Sequence, residues 1–168
     1  MKTFICCFLT IFFTLFLVSC TSQQVKLPSK ETSSEEQLAL QVLTDFLQSL
    51  YTGNYDKAAQ LYGGSYETMI DHNPSIIPSD HTALLKNACE TNGAQCFRVK
   101  SASLDNRTSK TEFVFRVDFV NDDGTLFVIG PCCGGNATDF SHQSVFFFTV
   151  VKVDKNKFFV MDMPPYTP

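Results

Sequence analysis

A stretch of alternating Phe and Val residues near the middle of the chain constrains its fold more than any other feature. Within residues 113–120, alternate side chains fall on the two sides of an extended backbone. One side carries Phe113, Phe115, Val117 and Phe119. A period of two in Phe and Val is typical of a strand that has one fully buried face. Other parts of the chain must therefore cover that face.

The residues that follow predict a hairpin. The sequence Asp122-Asp123-Gly124 has the composition of a tight turn, in which a Gly can take a positive φ. We expect residues 126–129 to form the returning strand, and the cysteine–glycine run that ends at residue 135 to form a corner. The other elements then cover or continue this hairpin.

Length and charge limit the class of protein. The chain has 168 residues, which suggests one domain once the ends are discounted, and its 17 Phe residues can supply a core. The formal net charge is −4, and the 13 Lys and Arg residues are scattered along the chain. This argues against binding to nucleic acid, which requires clustered basic residues.

The N-terminus resembles the signal segment of bacterial lipoproteins. An uncharged apolar run at residues 4–18 follows Lys2. It is shorter than the about 20 residues of a membrane-spanning helix, and it is typical of a secretory signal. The run ends in Leu17-Val18-Ser19-Cys20, which resembles the lipobox. The alternative is an ordinary signal peptide in which the cysteine is incidental.

The lipobox resemblance implies a location and a domain organisation. Residues 1–19 would be removed, and Cys20 would carry the lipid that holds the protein at the cell membrane or outer membrane, facing away from the cytoplasm. Residues 20–34 are polar and are expected to form a flexible tether. Residues 35–168 then form the folded domain.

A capping box predicts where the first helix begins. Ser33 and Glu36 have the three-residue spacing in which each side chain accepts a hydrogen bond from the other residue's backbone N–H. An apolar stripe follows at three- and four-residue spacing and ends near Thr52, so this helix is expected to cover an apolar surface. The stripe consists of Ala39, Val42, Leu43, Phe46, Leu47 and Leu50.

Shorter helices are predicted next. Asn54 is expected to cap a helix at residues 55–62, and residues 66–71 are expected to add a further turn. Ser79 is expected to cap a helix at residues 80–89.

The second half of the chain predicts strands. Alternation at residues 96–105 starts the sheet, and a last hairpin joins residues 143–153 to residues 157–163. With the central hairpin, this makes about five strands. Helices followed by strands predict an α+β fold, in which N-terminal helices pack on one face of a curved, mainly antiparallel sheet.

The order of elements resembles the nuclear transport factor 2-like superfamily, which has a cystatin-like cone. The resemblance is carried by the long first helix, by GNYDKAAQLY at residues 53–62 and by FFVMDMPPY at residues 158–166. It covers roughly residues 35–166. It implies a cone that encloses a cavity, in which the enzymes of the superfamily place Asp, Tyr or His residues.

Candidates for such a cavity are Arg116, Asp118, Tyr51 and Tyr62. The alternative is that the tyrosines belong to the core, and that Arg116 and Asp118 pair on the solvent side. Weaker candidates are Tyr55, Tyr66, Asp71 and His72. None of these residues matches an enzyme motif, so no catalytic residue, cofactor or metal is predicted.

Four cysteines belong to the predicted domain. An even number outside the cytoplasm suggests disulfides. We favour a local bridge between Cys89 and Cys96, which would leave Cys132 and Cys133 as a vicinal pair. The alternative is two crosslinks that join the first pair to the second. Zinc is disfavoured, because the spacing lacks two short chelating pairs.

Three functions fit these features. The preferred one is a non-enzymatic domain that binds a small ligand or another envelope protein. The alternatives are an enzyme that acts on a small apolar molecule in the cone, and a structural spacer or assembly partner. A cone filled by Phe side chains would favour the spacer or assembly partner.

Overall fold

The Phe-rich strand lies inside a four-stranded antiparallel sheet. The computed structural model of the protein describes residues 33–130 and 142–166. Within these residues the strands follow one another in chain order across the sheet. They are β1 (Arg98–Arg107), β2 (Glu112–Val120), β3 (Phe146–Asp154) and β4 (Lys157–Val160). Four helices precede them, so the α+β class is confirmed.

The predicted buried face of β2 is confirmed. Its side chains are at most 1% exposed at Phe113, Phe115, Val117 and Phe119. Phe148 of β3 lies directly across from Phe115 and is also buried. The two strands therefore contribute a continuous layer of Phe rings to the core.

The first helix covers that layer. The helices are α1 (Ser34–Tyr51), α2 (Tyr55–Leu61), α3 (Glu67–His72) and α4 (His81–Glu90). α1 contacts all four strands. Its capping box is confirmed: the Glu36 N–H donates to Ser33 Oγ at 3.2 Å, and the Ser33 N–H donates to Glu36 Oε2 at 3.1 Å. Five of the six residues in its predicted stripe are buried; Val42 is half-buried.

Of the two caps predicted for the shorter helices, one is confirmed and one is wrong. Asn54 caps α2, where its Oδ1 accepts from the Lys57 N–H. The prediction for Ser79 is wrong, because Asp80 caps α4 and accepts from the Ala83 N–H at 3.0 Å. Ser and Asp are comparable caps, and the helix begins one residue later than the sequence indicated.

Residues 126–129 do not form the predicted returning strand. They make two isolated bridges, Val120 with Leu126 and Ile129 with Gln143. β3 pairs with β2 from Val117 back to Glu112 and so takes the place of this strand. β3 buries more apolar surface there, since Phe146 and Phe148 both point into the core. The described sheet accordingly has four strands where about five were predicted.

β1 and β3 each contain residues that have no partner on the neighbouring strand and that interrupt the regular pairing. The register between β1 and β2 shifts twice, once at Lys100 and once at Asp105. A third shift places Val153 of β3 outside the pairing with β4. Such β-bulges bend and twist the strand that carries them.

Ion pairs attach the first turn of α1 to the sheet. Glu35 accepts from Lys152 Nζ at 2.5 Å and from Arg107 Nη2 at 3.0 Å. The hydrogen bond from Lys152, followed by that from Arg107, lowers the pKa of Glu35. Both sheet residues lie near the turns at one end of the sheet, so the N-terminal end of α1 lies at that end.

No helix within the described residues has the length and apolar character needed to cross a membrane. The predicted signal segment and Cys20 lie outside those residues, as do Cys132 and Cys133.

We expect Phe115→Ala to lower the free energy of unfolding by about 3–5 kcal/mol, because it removes a buried ring from the Phe layer. The control is Phe147→Ala on the opposite face of the sheet, where the side chain is 54% exposed. Phe147→Ala should lower the free energy of unfolding by only about 0.5 kcal/mol. Denaturant titration measures both values, and a loss below about 1 kcal/mol for Phe115→Ala would contradict the assignment of the buried face.

Candidate functional site

A surface recess of about 450 Å³ lies beside the disulfide and is the candidate site. We call it the disulfide recess. It is formed by the ends of α1 and α4, the loop that leads into β1 and the turn after β2. Its walls are Tyr51, Cys89, Glu90, Thr91, Gly93, Ala94, Gln95, Cys96, Phe97 and Asp122. Tyr51 is one of the predicted cavity residues.

The disulfide joins Cys89 to Cys96 and confirms the predicted local bridge. Their Cα atoms are 5.6 Å apart, within the range that a disulfide requires. Cys89 lies in the last turn of α4, which ends at Glu90, and Gly93 takes a φ of 77°, which lets the chain turn back toward Cys96. The alternative crosslinks from this pair to Cys132 and Cys133 are wrong, because each sulfur already has its partner. The vicinal bridge between the other two cysteines stays a prediction.

Backbone hydrogen bonds hold the wall of the recess. The Ala94 N–H donates to the Ala88 carbonyl at 3.0 Å, and the Gln95 N–H donates to the Pro165 carbonyl at 2.8 Å. Ala94 also forms a bridge with Tyr166. The loop is thus attached both to α4 and to the C-terminal end of the described chain. This arrangement favours a preformed surface over one that must order when a ligand binds.

The charged side chains that line the recess are acidic. They are Glu90, at the end of α4, and Asp122, in the turn after β2. Glu90 also accepts from the Tyr55 hydroxyl at 3.4 Å and lies 4.0 Å from Lys86 Nζ. Burial, with a further contribution from Glu90, raises the pKa of Tyr55.

A second, smaller recess adjoins the first. Its volume is about 270 Å³, and Glu90 lines both. The hydroxyl of Thr82 donates to Asp56 there at 2.9 Å, which joins α4 to α2. Lys86 also lines this second recess.

Tyr62, predicted to line a cavity, lies in the core and is 7% exposed. Its ring stacks on Phe46 with centroids 5.6 Å apart, and its hydroxyl donates to the Ser65 carbonyl at 3.1 Å. Burial raises the pKa of Tyr62, so its phenol keeps its proton at neutral pH. Burial also raises the pKa of the neighbouring Tyr66, to about 12. Neither phenol is therefore suited to act as a base.

Arg116 and Asp118 lie on the face of β2 opposite the Phe layer. Strand alternation places them there, because the residues between and beside them point into the core. Asp118 accepts from the Ser101 hydroxyl at 2.7 Å. No ion pair joins the two side chains, although both are among the described residues. They do not line the disulfide recess.

The weaker candidates Asp71 and His72 are exposed at the end of α3 and do not line either recess. Within residues 33–130 and 142–166, no three His, Cys, Asp or Glu side chains are grouped so that they could hold a metal ion. Comparison with protein-family models, curated proteins and solved structures finds no match for this chain.

Local sequence patterns did not identify Glu90 and Asp122 as members of one site. Each was near a predicted feature, since Glu90 follows the predicted end of a helix and Asp122 begins a predicted turn. Glu90 and Asp122 lie close together in space because of how α4 and β2 pack. Local sequence patterns do not determine that packing. The predicted closeness of Cys89 and Cys96 was the one local signal for the recess.

We expect the combined replacement of Cys89→Ser and Cys96→Ser to lower the free energy of unfolding by about 2–3 kcal/mol. The bridge closes a loop of about eight residues, and its loss restores conformational entropy to the unfolded chain. Denaturant titration of wild-type and variant protein without reductant measures the difference. A variant within about 0.5 kcal/mol of wild type would mean that the bridge contributes nothing to the stability of this loop.

Proposed function

We propose that the chain is a lipid-anchored protein of the cell envelope, and that its α+β domain binds another envelope protein outside the cytoplasm at the disulfide recess. The observation that carries the proposal is the Cys89–Cys96 disulfide in the recess wall. Structural disulfides persist in oxidising compartments and are rare in the cytoplasm. The lipobox-like sequence that ends at Cys20 supports the same compartment independently.

Membership of the nuclear transport factor 2-like superfamily is part of the proposal. In its support, a long helix and three short helices precede a sequential antiparallel sheet, and α1 lies across that sheet. The bulges in β1 and β3 are consistent with a curved sheet.

Binding has more support than catalysis. The side of the sheet that faces α1 is occupied by Phe rings, at Phe113, Phe115, Phe119, Phe146 and Phe148, each at most 4% exposed. An enzyme acting on an apolar molecule inside the cone would need open space in that layer. Tyr62 was the tyrosine predicted to line the cavity and now found in the core. Its hydroxyl already donates a hydrogen bond, and its raised pKa keeps it protonated.

The Phe-filled layer also favours a second candidate function, that of a structural spacer or assembly partner. A spacer requires no recess. The two functions therefore differ in whether the disulfide recess contacts another molecule in the cell.

Lipid anchoring is tested by Cys20→Ser. We expect this variant to lose the label from a metabolic fatty-acid probe, because the proposed acceptor thiol is absent. The matched control is Cys6→Ser in the predicted signal segment, which should be labelled and membrane-bound like wild type. Wild-type protein that carries no label and fractionates away from membranes would contradict the anchor.

Binding at the recess is tested by photo-crosslinking in intact cells. A benzoyl-phenylalanine in place of Tyr51 should give a discrete adduct, because that side chain lines the recess. The control site is Leu38, also on α1 and equally exposed, at 42% against 41%. The two positions are about 20 Å apart along the helix. Equal adducts at both sites, or none at Tyr51, would favour the spacer.

A further inference from the structure

The charged side chains of the disulfide recess come from two parts of the fold. Glu90 belongs to α4 and Asp122 to the turn after β2, and no Lys, Arg or His is among the ten residues of the described chain that line the recess. These carboxylates are far apart in sequence and are brought together by tertiary packing. Carboxylates gathered in a recess create a negative potential, which attracts cations.

Two helix C-termini reinforce that potential. α1 ends at Tyr51 and α4 ends at Glu90, and both residues line the recess. Neither helix has a basic residue in its last turn. The last carbonyl groups of a helix carry partial negative charge, which cations near the C-terminus stabilise. Here no basic side chain from either last turn offsets that charge.

Aromatic rings provide a third contribution. Tyr51 is 41% exposed, and Phe97 lines the same recess while packing on Phe127 with centroids 4.6 Å apart. The faces of Tyr and Phe rings attract ammonium and guanidinium groups. Carboxylates, helix ends and aromatic rings thus favour the same kind of ligand.

We propose that the disulfide recess binds a Lys or Arg side chain presented by an exposed segment of the partner protein. This inference rests on the proposed binding function and names the chemistry of the partner. A volume of about 450 Å³ lies within the usual range of binding pockets and accommodates one long side chain with adjoining backbone.

Lys86 is the competing cation on this chain. Its Nζ lies 4.0 Å from Glu90 Oε2, and both side chains are more than half exposed, so the pair is weak. Lys86 lines the neighbouring recess and not this one. A partner's cation can therefore displace it from Glu90 at little cost.

The test uses ¹⁵N-labelled protein, purified from cells in a non-ionic detergent, and hexalysine as the probe. We expect hexalysine to shift the amide signals of Thr91, Gly93 and Asp122, with binding that weakens as salt is added. Hexaglutamate and hexaserine should not shift these signals. Equal shifts with hexaserine would overturn the cationic partner while leaving the recess as a binding surface. No shift with any of the three peptides would also overturn the inference.

Variants distinguish binding at the disulfide recess from attraction to the net charge of the protein. Glu90→Gln with Asp122→Asn should raise the Kd for hexalysine about three- to tenfold, as expected for two exposed ion pairs. Glu67→Gln with Asp71→Asn makes the same change in net charge on α3 and should leave the Kd unchanged. Lys86→Gln should lower the Kd, because it removes the competing cation. Equal weakening in the two double variants would assign the binding to net charge and overturn the inference.

The same experiments distinguish this inference from the proposed function. Hexalysine binding at the recess without a Tyr51 adduct in cells would contradict the proposed function only. A Tyr51 adduct without selective hexalysine binding would contradict the cationic partner only.

Discussion

Burial of the Phe-bearing face of β2 is the interaction on which the rest of the domain depends. β1 and β3 flank this strand, and α1 lies across the sheet, so every layer contacts it. Because a face of this size is costly to expose, the register of the neighbouring strands is strongly specified. α1 is thereby held along its length, from the ion pairs of Glu35 at one end to Tyr51 at the recess.

The candidate site lies outside that core but is positioned by it. α1 and α4 both end at the disulfide recess, and the turn after β2 supplies Asp122. Polar groups in the disulfide recess remain in contact with water, whereas burying an ionised group within the Phe layer would be strongly unfavourable. This division between an apolar interior and a charged recess is the reason that we propose recognition at the surface.

Features governed by neighbours in sequence were predictable. The capping box at Ser33, the cap at Asn54 and the period of two in β2 each depend on a few adjacent residues. The returning strand at residues 126–129 was not predictable, because β3 competes for the same side of β2 and buries more Phe surface. Glu90 and Asp122 were likewise beyond local patterns, since only packing brings them to one recess.

The two bulges of β1 affect how this sheet can meet another chain. β1 lies at the end of the strand order, and an edge strand can pair with a foreign strand. Lys100 and Asp105, the bulged residues, are charged and exposed, and they break the regular spacing of donors and acceptors along that edge. Continuous strand addition is therefore disfavoured there. Two copies of the domain that met at their β1 edges would therefore not readily form one continuous sheet.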